Sequence, residues 1–293
     1  MTKSKKIIKK LKEKQVKQKE VKNKLAEKIS DTFSKKELQA ILTSGKFHEV
    51  PQVPSYPEIN FKGKTVKFGV LTDTHIGSIF FHEEWLKAAF KMFREEGCKV
   101  VTHSGDVTEG LSNRPGHVYE LTHIGYDQQK KYAIDLFKEY NKTNLPMYMI
   151  DGNHDRWYIK SNGALIVKDI VKELDFAHFL GHDSGDFKVN GAKIRLWHGE
   201  DGSSYATSYR LQKLVESITG GFKPDLIIAG HTHKQCYIFE RHIQVVSGGA
   251  MCAQSSWMKS KRLANHAGFH IVTITTNKKG IARCNVEWLP FYG

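Results

Sequence analysis

The sequence predicts an α/β domain with mixed sheets, entered through a basic helical arm. Three observations carry that prediction. From residue 65 to residue 230, short apolar runs alternate with amphipathic stretches at helical spacing, the pattern of strands and helices laid down in turn. After residue 235, apolar runs follow one another with turn residues between them and read as strands alone. The charge is lopsided: of a net +14 over 293 residues, twelve lysines against Glu13, Glu20 and Glu27 place +9 in residues 1–30.

The arm spans residues 1–45. It has no Gly or Pro before Gly45 and is rich in Lys, Glu, Gln and Leu, all good helix formers. Val21, Leu25, Ile29 and Phe33 recur every four residues, so a helix over about 3–29 carries one narrow apolar stripe. Ser34 and Glu37 form a capping box for a second short helix, and Gly45 stops it. Pro51, Pro54 and Pro57 mark a linker over 46–62. The remaining domain, 63–293, opens with a buried strand at Val66–Leu71, a helix at Glu83–Glu95 and a strand at Val100–His103. A helix at Asp127–Tyr140, a strand at Met147–Ile150 and a helix at Ala164–Leu174 follow. Phe187–Val189 and Lys193–Trp197 flank Asn190-Gly191, a hairpin signal. A helix at Ser204–Thr219 and a strand at Leu226–Ala229 precede the strands Cys236–Phe239, His242–Val246, Phe269–Thr275 and Ile281–Glu287.

Composition narrows the function classes. Hydrophobic residues make up 40% of the chain, enough for a large core. No apolar run approaches the roughly 20 residues that span a bilayer. The lysine-rich start lacks the apolar stretch and cleavage site of a secretory leader, so a soluble, cytoplasmic protein without a membrane partner is expected. Cys98, Cys236, Cys252 and Cys284 are scattered and form no CxxC pair; they read as buried small hydrophobes. The basic arm suits a polyanion, most simply nucleic acid, and lysines without arginines point to phosphate contact rather than base reading.

Five short segments stand where the strands run out into loops: Asp73-Thr74-His75, Gly105-Asp106, Gly152-Asn153-His154-Asp155, Trp197-His198-Gly199 and Gly230-His231-Thr232-His233. Loops at the carboxyl ends of strands converge on one crevice in α/β folds. Carboxylates, an amide carbonyl and imidazoles, with no thiolate among them, suit manganese first, with iron or zinc also served. If the backbone stays extended, alternation sends both side chains of Asp73-x-His75, and of His231-x-His233, to one side. Seven donors exceed one open site and match two divalent metals sharing a carboxylate. Such a pair, about 3.5–4 Å apart, clamps the ester oxygens and acidifies a bound water that attacks phosphorus in line. His154 is left to give a proton to the departing oxygen, with Asp155 holding its tautomer.

In this order the motifs resemble the calcineurin-like metallophosphoesterases over about residues 65–250. The resemblance implies a four-layer α-β-β-α sandwich with the metals at one sheet edge. It also implies Asp73, His75 and His233 on the first metal, Asn153, His198 and His231 on the second, and Asp106 bridging. His154 matches the family's transition-state-stabilising histidine; His178 and His182 compete with His198 for its role. The protein-phosphatase branch follows Gly-Asp with Asp-Arg-Gly and carries Gly-Asn-His-Glu, whereas this chain has Val107-Thr108-Glu109-Gly110 and Asp155. The pattern is nearer to the double-strand-break repair nucleases and the phage phosphoesterases, and Gly-Asn-His-Asp is shared with small-ester phosphodiesterases.

The loop over 107–125 follows the bridging aspartate, and Arg114, His117 and Tyr119 on it are candidate substrate contacts. His103 and His123 read as core or loop residues, and Trp157, Tyr158, Trp197 and Tyr205 as packing aromatics with stacking on a base as the alternative. The expected activity is a metal-dependent nuclease of the kind found in phages and mobile elements. A small-molecule phosphodiesterase or phosphomonoesterase is the enzymatic alternative, and a metal-free scaffold is disfavoured by the complete donor set.

Overall fold

The computed structural model describes residues 56–200, 206–219 and 223–291, together with Ser34. The predicted arm, Tyr205 and most of the linker lie outside them. Residues Tyr56–Gly293 form one compact unit. Among the described residues no helix is long and apolar enough to cross a membrane.

Two six-stranded mixed sheets face each other. The first runs β12(Gly280–Pro290)-β11(Gly268–Asn277)-β2(Thr65–Leu71)-β3(Val100–Ser104)-β4(Met147–Asp151)-β5(Ala177–His182), with β2 to β5 parallel and β11 and β12 antiparallel. The second runs β1(Glu58–Ile59)-β6(Ser184–Val189)-β7(Ala192–Trp197)-β8(Leu226–Ala229)-β10(Ile243–Gly248)-β9(Gln235–Glu240). Strand β1, inside the span read as linker, pairs parallel with Lys188–Val189. Asn190 and Gly191 both have positive φ and turn β6 into β7, as the dipeptide predicted.

Side-chain alternation sorts the core into layers. Phe68, Val70 and Ile150 of the first sheet meet Phe187, Ile194, Ile228 and Val246 of the second. The first sheet's other face, through Val101, Met147 and Met149, lies beneath helices α1(Glu83–Glu95), α2(Tyr126–Tyr140) and α4(Ile166–Lys172). Gly69 lets this layer close, because a Cβ there would lie 2.6 Å from the Phe93 ring. Ile227 and Val245 point the opposite way from their neighbours and bury Leu211 and Val215 of α5(Tyr209–Ser217). The result is the four-layer α-β-β-α sandwich.

Helix α5 is shorter than the predicted 204–219, beginning at Tyr209. Helices α3(Trp157–Asn162) and α6(Ser256–Ser260) and strand β5 went unread. The two helices are too short to show a period, and β5 mixes His and Gly into a run with only Ala177 fully buried.

Candidate metal centre

Every motif follows the carboxyl end of a strand: Asp73 after β2, Asp106 after β3, Asn153 after β4, His198 after β7 and His231 after β8. The backbone there is not extended. Asp73, His75, Asp106, His231 and His233 all have φ between 49° and 81°, the left-handed region. The expectation that simple alternation aligns each pair is therefore corrected. Turns aim these side chains, and non-glycine residues in such turns cost on the order of 1–3 kcal/mol each. Hydrogen bonds across the motifs hold them: Asp73 N to Gly105 O at 3.0 Å, His75 N to Asp106 O at 3.0 Å, and His154 N to Asp106 Oδ1 at 2.9 Å.

The donor atoms form an unbroken run. Asp73 Oδ1 stands 3.5 Å from His233 Nε2, which stands 3.1 Å from His75 Nε2. His75 Nε2 is 3.9 Å from Asp106 Oδ2, and that oxygen is 3.1 Å from His198 Nε2. Asn153 Oδ1 lies 3.0 Å from His198 Nε2 and 2.9 Å from His231 Nδ1. Ligands held about 2.0–2.2 Å from a zinc-class ion sit about 3–3.5 Å from each other, which is close to the spacing of every link but the 3.9 Å between His75 and Asp106. Asp73, Asp106, His75, His198 and His233 are buried. Side-chain clusters able to hold an ion include Asp73–His75–Asp106 and Asp106–His198–His231. The two histidines of Gly230-His231-Thr232-His233 thus serve opposite ends of the run.

Partners behind the rings set the tautomers, as around bound metals. His198 Nδ1 donates to Ser104 O at 2.8 Å. His233 Nδ1 lies 2.8 Å from Asn265 Oδ1; His75 Nδ1 is 2.9 Å from Glu109 Oε2 but out of hydrogen-bond geometry. The seven residues therefore fit a divalent-metal centre: oxygen and imidazole donors converge, and partners behind His198 and His233 aim their Nε2 atoms inward. His178 stacks on Tyr148 and His182 pairs with Asp151, so neither joins the run.

Electrostatics follow from burial and proximity. Burial opposes ionisation of Asp73 and Asp106, yet His233 beside the first and His198 and His154 beside the second hold both carboxyls below the usual range. Burial likewise opposes charge on His198, but Asp106 lifts it to about 9. His154 is lifted to about 9 by Asp106 and Glu109 against its own burial.

Asp155 does not orient His154. Its carboxylate accepts hydrogen bonds from Val107 N, Thr108 N, Thr108 Oγ1 and Gly152 N, so it ties the β3 and β4 turns together. His154 Nδ1 instead donates to the Glu109 carbonyl at 3.0 Å. His117 is buried and lines the cavity, with Nε2 2.9 Å from Glu109 Oε1 and Nδ1 accepting from Ser112 N. Arg114 reaches the cavity but pairs with Glu120 at 2.6 Å, and Tyr119, 84% exposed, does not line it. His103 is a core residue bonded to Thr74, and His123 stacks on Tyr132.

Three contributors were missed. Glu109 meets His75, His117 and His154, and its place three residues after Asp106 was the available signal. Asn265 had no local signal. Arg210 donates to the carbonyls of Gly230 and His198 and lies over the Trp197 ring, joining two motif turns from inside a helix.

Five of the donors, His75, Asp106, Asn153, His231 and His233, line a cavity of about 550 Å³ together with Trp157, Trp257, Met258 and Leu263. Trp157 packs on His154 with ring centroids 4.0 Å apart.

A family model for the calcineurin-like phosphoesterase superfamily domain matches residues 66–277. Among solved structures, an archaeal phosphodiesterase aligns at 20% identity with a TM-score of 0.45, over 76% of this chain and 100% of its own. A conserved Streptococcus pneumoniae protein described as a predicted phosphoesterase aligns at 13% identity and 0.42, over 77% and 90%. Zinc-complexed Vps29 from Entamoeba histolytica aligns at 12% identity and 0.38, over 78% and 100%. No curated protein matches the chain.

Proposed function

The chain belongs to the calcineurin-like phosphoesterase superfamily, and on that premise we propose that it hydrolyses phosphodiester bonds of nucleic acid with two divalent cations. The unbroken donor run from Asp73 to His231 carries the reading. Asp73, His75 and His233 would hold one cation and Asn153, His198 and His231 the other, with Asp106 between them. When bound, such a pair supplies Lewis-acid polarisation of the phosphate and acidifies water; the donor set favours manganese, iron or zinc.

The rest is done by the chain itself. His154 is tied at Nδ1 to the Glu109 carbonyl, so Nε2 of a ring that lines the cavity carries the transferable proton. Asp106 and Glu109 beside the ring favour its protonated form against burial, the form from which a departing oxygen takes a proton. Trp157 packs against the same ring and limits its orientation. Asp155 fixes the two turns that present Asp106 and Asn153. Nucleic acid as the substrate class is supported by the +9 of residues 1–30, a charge that neutralises phosphates. A small-molecule phosphodiesterase or phosphomonoesterase is the second reading, favoured by a cavity sized for one small ligand.

A digestion panel separates these. Labelled single- and double-stranded DNA, RNA, a cyclic nucleotide and an aryl phosphate are incubated with manganese, iron or zinc, with chelator as control. Metal-dependent cutting of a polynucleotide is expected. Hydrolysis of the small esters alone would establish the second reading, and no hydrolysis with any metal would remove both.

A further inference from the structure

The donors account for part of the cavity lining and leave another part without a role. That part is made after β10, where helix α6 is five residues long. Ser255 Oγ accepts from Met258 N at 3.2 Å, and Gln254 Nε2 donates to Leu263 O at 2.7 Å, so the turn is closed at both ends. Met258, 7% exposed, anchors the turn to the fold. Trp257 does not anchor it: the indole is 49% exposed and lines the cavity. What sets this exposed ring apart is its place in the lining of a concave cavity, where an aromatic face can hold the flat part of a ligand.

The chemistry of the cavity is divided. Carboxylates and imidazoles for cations line it together with the apolar side chains of Trp257, Met258, Leu263 and Phe80. The Arg114 guanidinium beside them is already paired with Glu120. Such a site matches a ligand with one anionic end and one flat apolar end. A volume of about 550 Å³ admits a phosphate and one ring system, not a continuous duplex. Paired bases in a duplex are stacked on each other and show no free face, whereas an unpaired nucleoside does.

We propose that Trp257 is the platform for the base of an unpaired nucleoside whose phosphate lies over the donor run. The proposal rests on the phosphodiesterase reading and narrows it: the cleaved bond is adjacent to a nucleoside at a strand end, in a single strand or in a short oligonucleotide. Trp257 binds substrate and does not touch the reacting phosphorus, so its removal acts on KM more than on kcat.

The test uses the full chain with manganese and two esters sharing one leaving group, thymidine 5′-(p-nitrophenyl) phosphate and methyl p-nitrophenyl phosphate. The wild type is expected to prefer the thymidine ester by about five- to a hundredfold in kcat/KM, the range of one base–aromatic stack. Trp257→Ala should lose most of that preference through KM, and Trp257→Phe should keep a large part of it. An unchanged preference in Trp257→Ala, with both proteins turning over the methyl ester, overturns the platform but not the phosphodiesterase reading. If neither ester is hydrolysed, the phosphodiesterase reading is decided by the digestion panel, and thymidine 5′-monophosphate titrated against tryptophan fluorescence decides the platform by itself. Quenching that is reduced in Trp257→Phe supports it, and quenching identical in the two proteins removes it. An alkyl p-nitrophenyl phosphate of equal bulk that matches the thymidine ester would replace base recognition by plain apolar binding. Thermal melts of both variants establish that the comparison is between folded proteins.

Discussion

Asn265 Oδ1 lies 2.8 Å from His233 Nδ1, although 32 residues separate them. The same amide donates through Nδ2 to the carbonyl of Cys252 at 2.9 Å, so its own orientation is fixed. The imidazole must then present Nε2 toward Asp73 and His75. Outer partners of this kind typically change metal affinity by about ten- to a hundredfold. Asn265→Ala should weaken manganese binding by that factor in a competitive chelator titration. Equal affinity in the two proteins would reduce Asn265 to a loop contact.

Asp106 sits between the two halves of the donor run, with Oδ2 3.9 Å from His75 and 3.1 Å from His198. Asp106→Asn keeps the shape and removes the negative charge. The variant should retain fewer than two manganese ions per chain by elemental analysis and show no turnover of an aryl phosphodiester. Near-normal activity with full occupancy would refute the bridging position.

His154 is placed to protonate a leaving oxygen, which matters most when that oxygen is basic. His154→Asn is expected to slow an alkyl ester by about 10²–10⁴-fold and a p-nitrophenyl ester much less. A leaving-group series therefore separates proton donation from phosphate binding, because an equal loss on all esters would point to binding alone. Glu109→Gln removes the charge that His154 and His75 share, and should move the same series in the same direction to a smaller extent.

His270 is fully buried on β11 against Trp288, and neither ring nitrogen has a hydrogen-bond partner. Burial depresses its pKa to about 3. Between that value and about 6.5, the unfolded chain takes up a proton that the folded chain refuses. Folding stability therefore falls as pH falls through this window, by up to about 1.4 kcal/mol per pH unit from this residue. His270→Phe keeps a ring and removes the titration. Between pH 7.5 and pH 5, with chelator present, the variant should lose about 2 kcal/mol less than the wild type in urea denaturation. Parallel losses would show that His270 does not titrate on unfolding.

Deleting residues 1–45 removes the dense lysine charge and leaves the compact unit from Tyr56 untouched. Affinity for DNA should drop, and the plot of log affinity against log salt should flatten, while hydrolysis of a small aryl ester persists. A truncated protein with the full salt slope would take the arm out of substrate binding.

The donor residues were legible because each stands beside a glycine or a strand end, and strands such as Leu226–Ala229 declare themselves by unbroken burial. The same local signals were silent on Asn265, whose partner His233 is reached only through the fold. Periodicity misled at Asp73 and His75, because alternation presumes extended backbone and these residues lie in left-handed turns. Asp155 was paired in sequence with its neighbour, yet its four hydrogen bonds go to backbone and a threonine. Adjacency along the chain does not say which way a carboxylate turns.

Gly152 separates two motif turns by the width of a hydrogen atom: a Cβ there would run into Asp106 Oδ1 and Asp106 N, with His198 Cε1 at 2.7 Å. Even alanine must displace the Asp106 carboxylate. A saturation library at this one codon, screened for turnover, should therefore return glycine alone. The position would then report, by what it refuses, how closely the two sheets must approach for the hydrolase to exist.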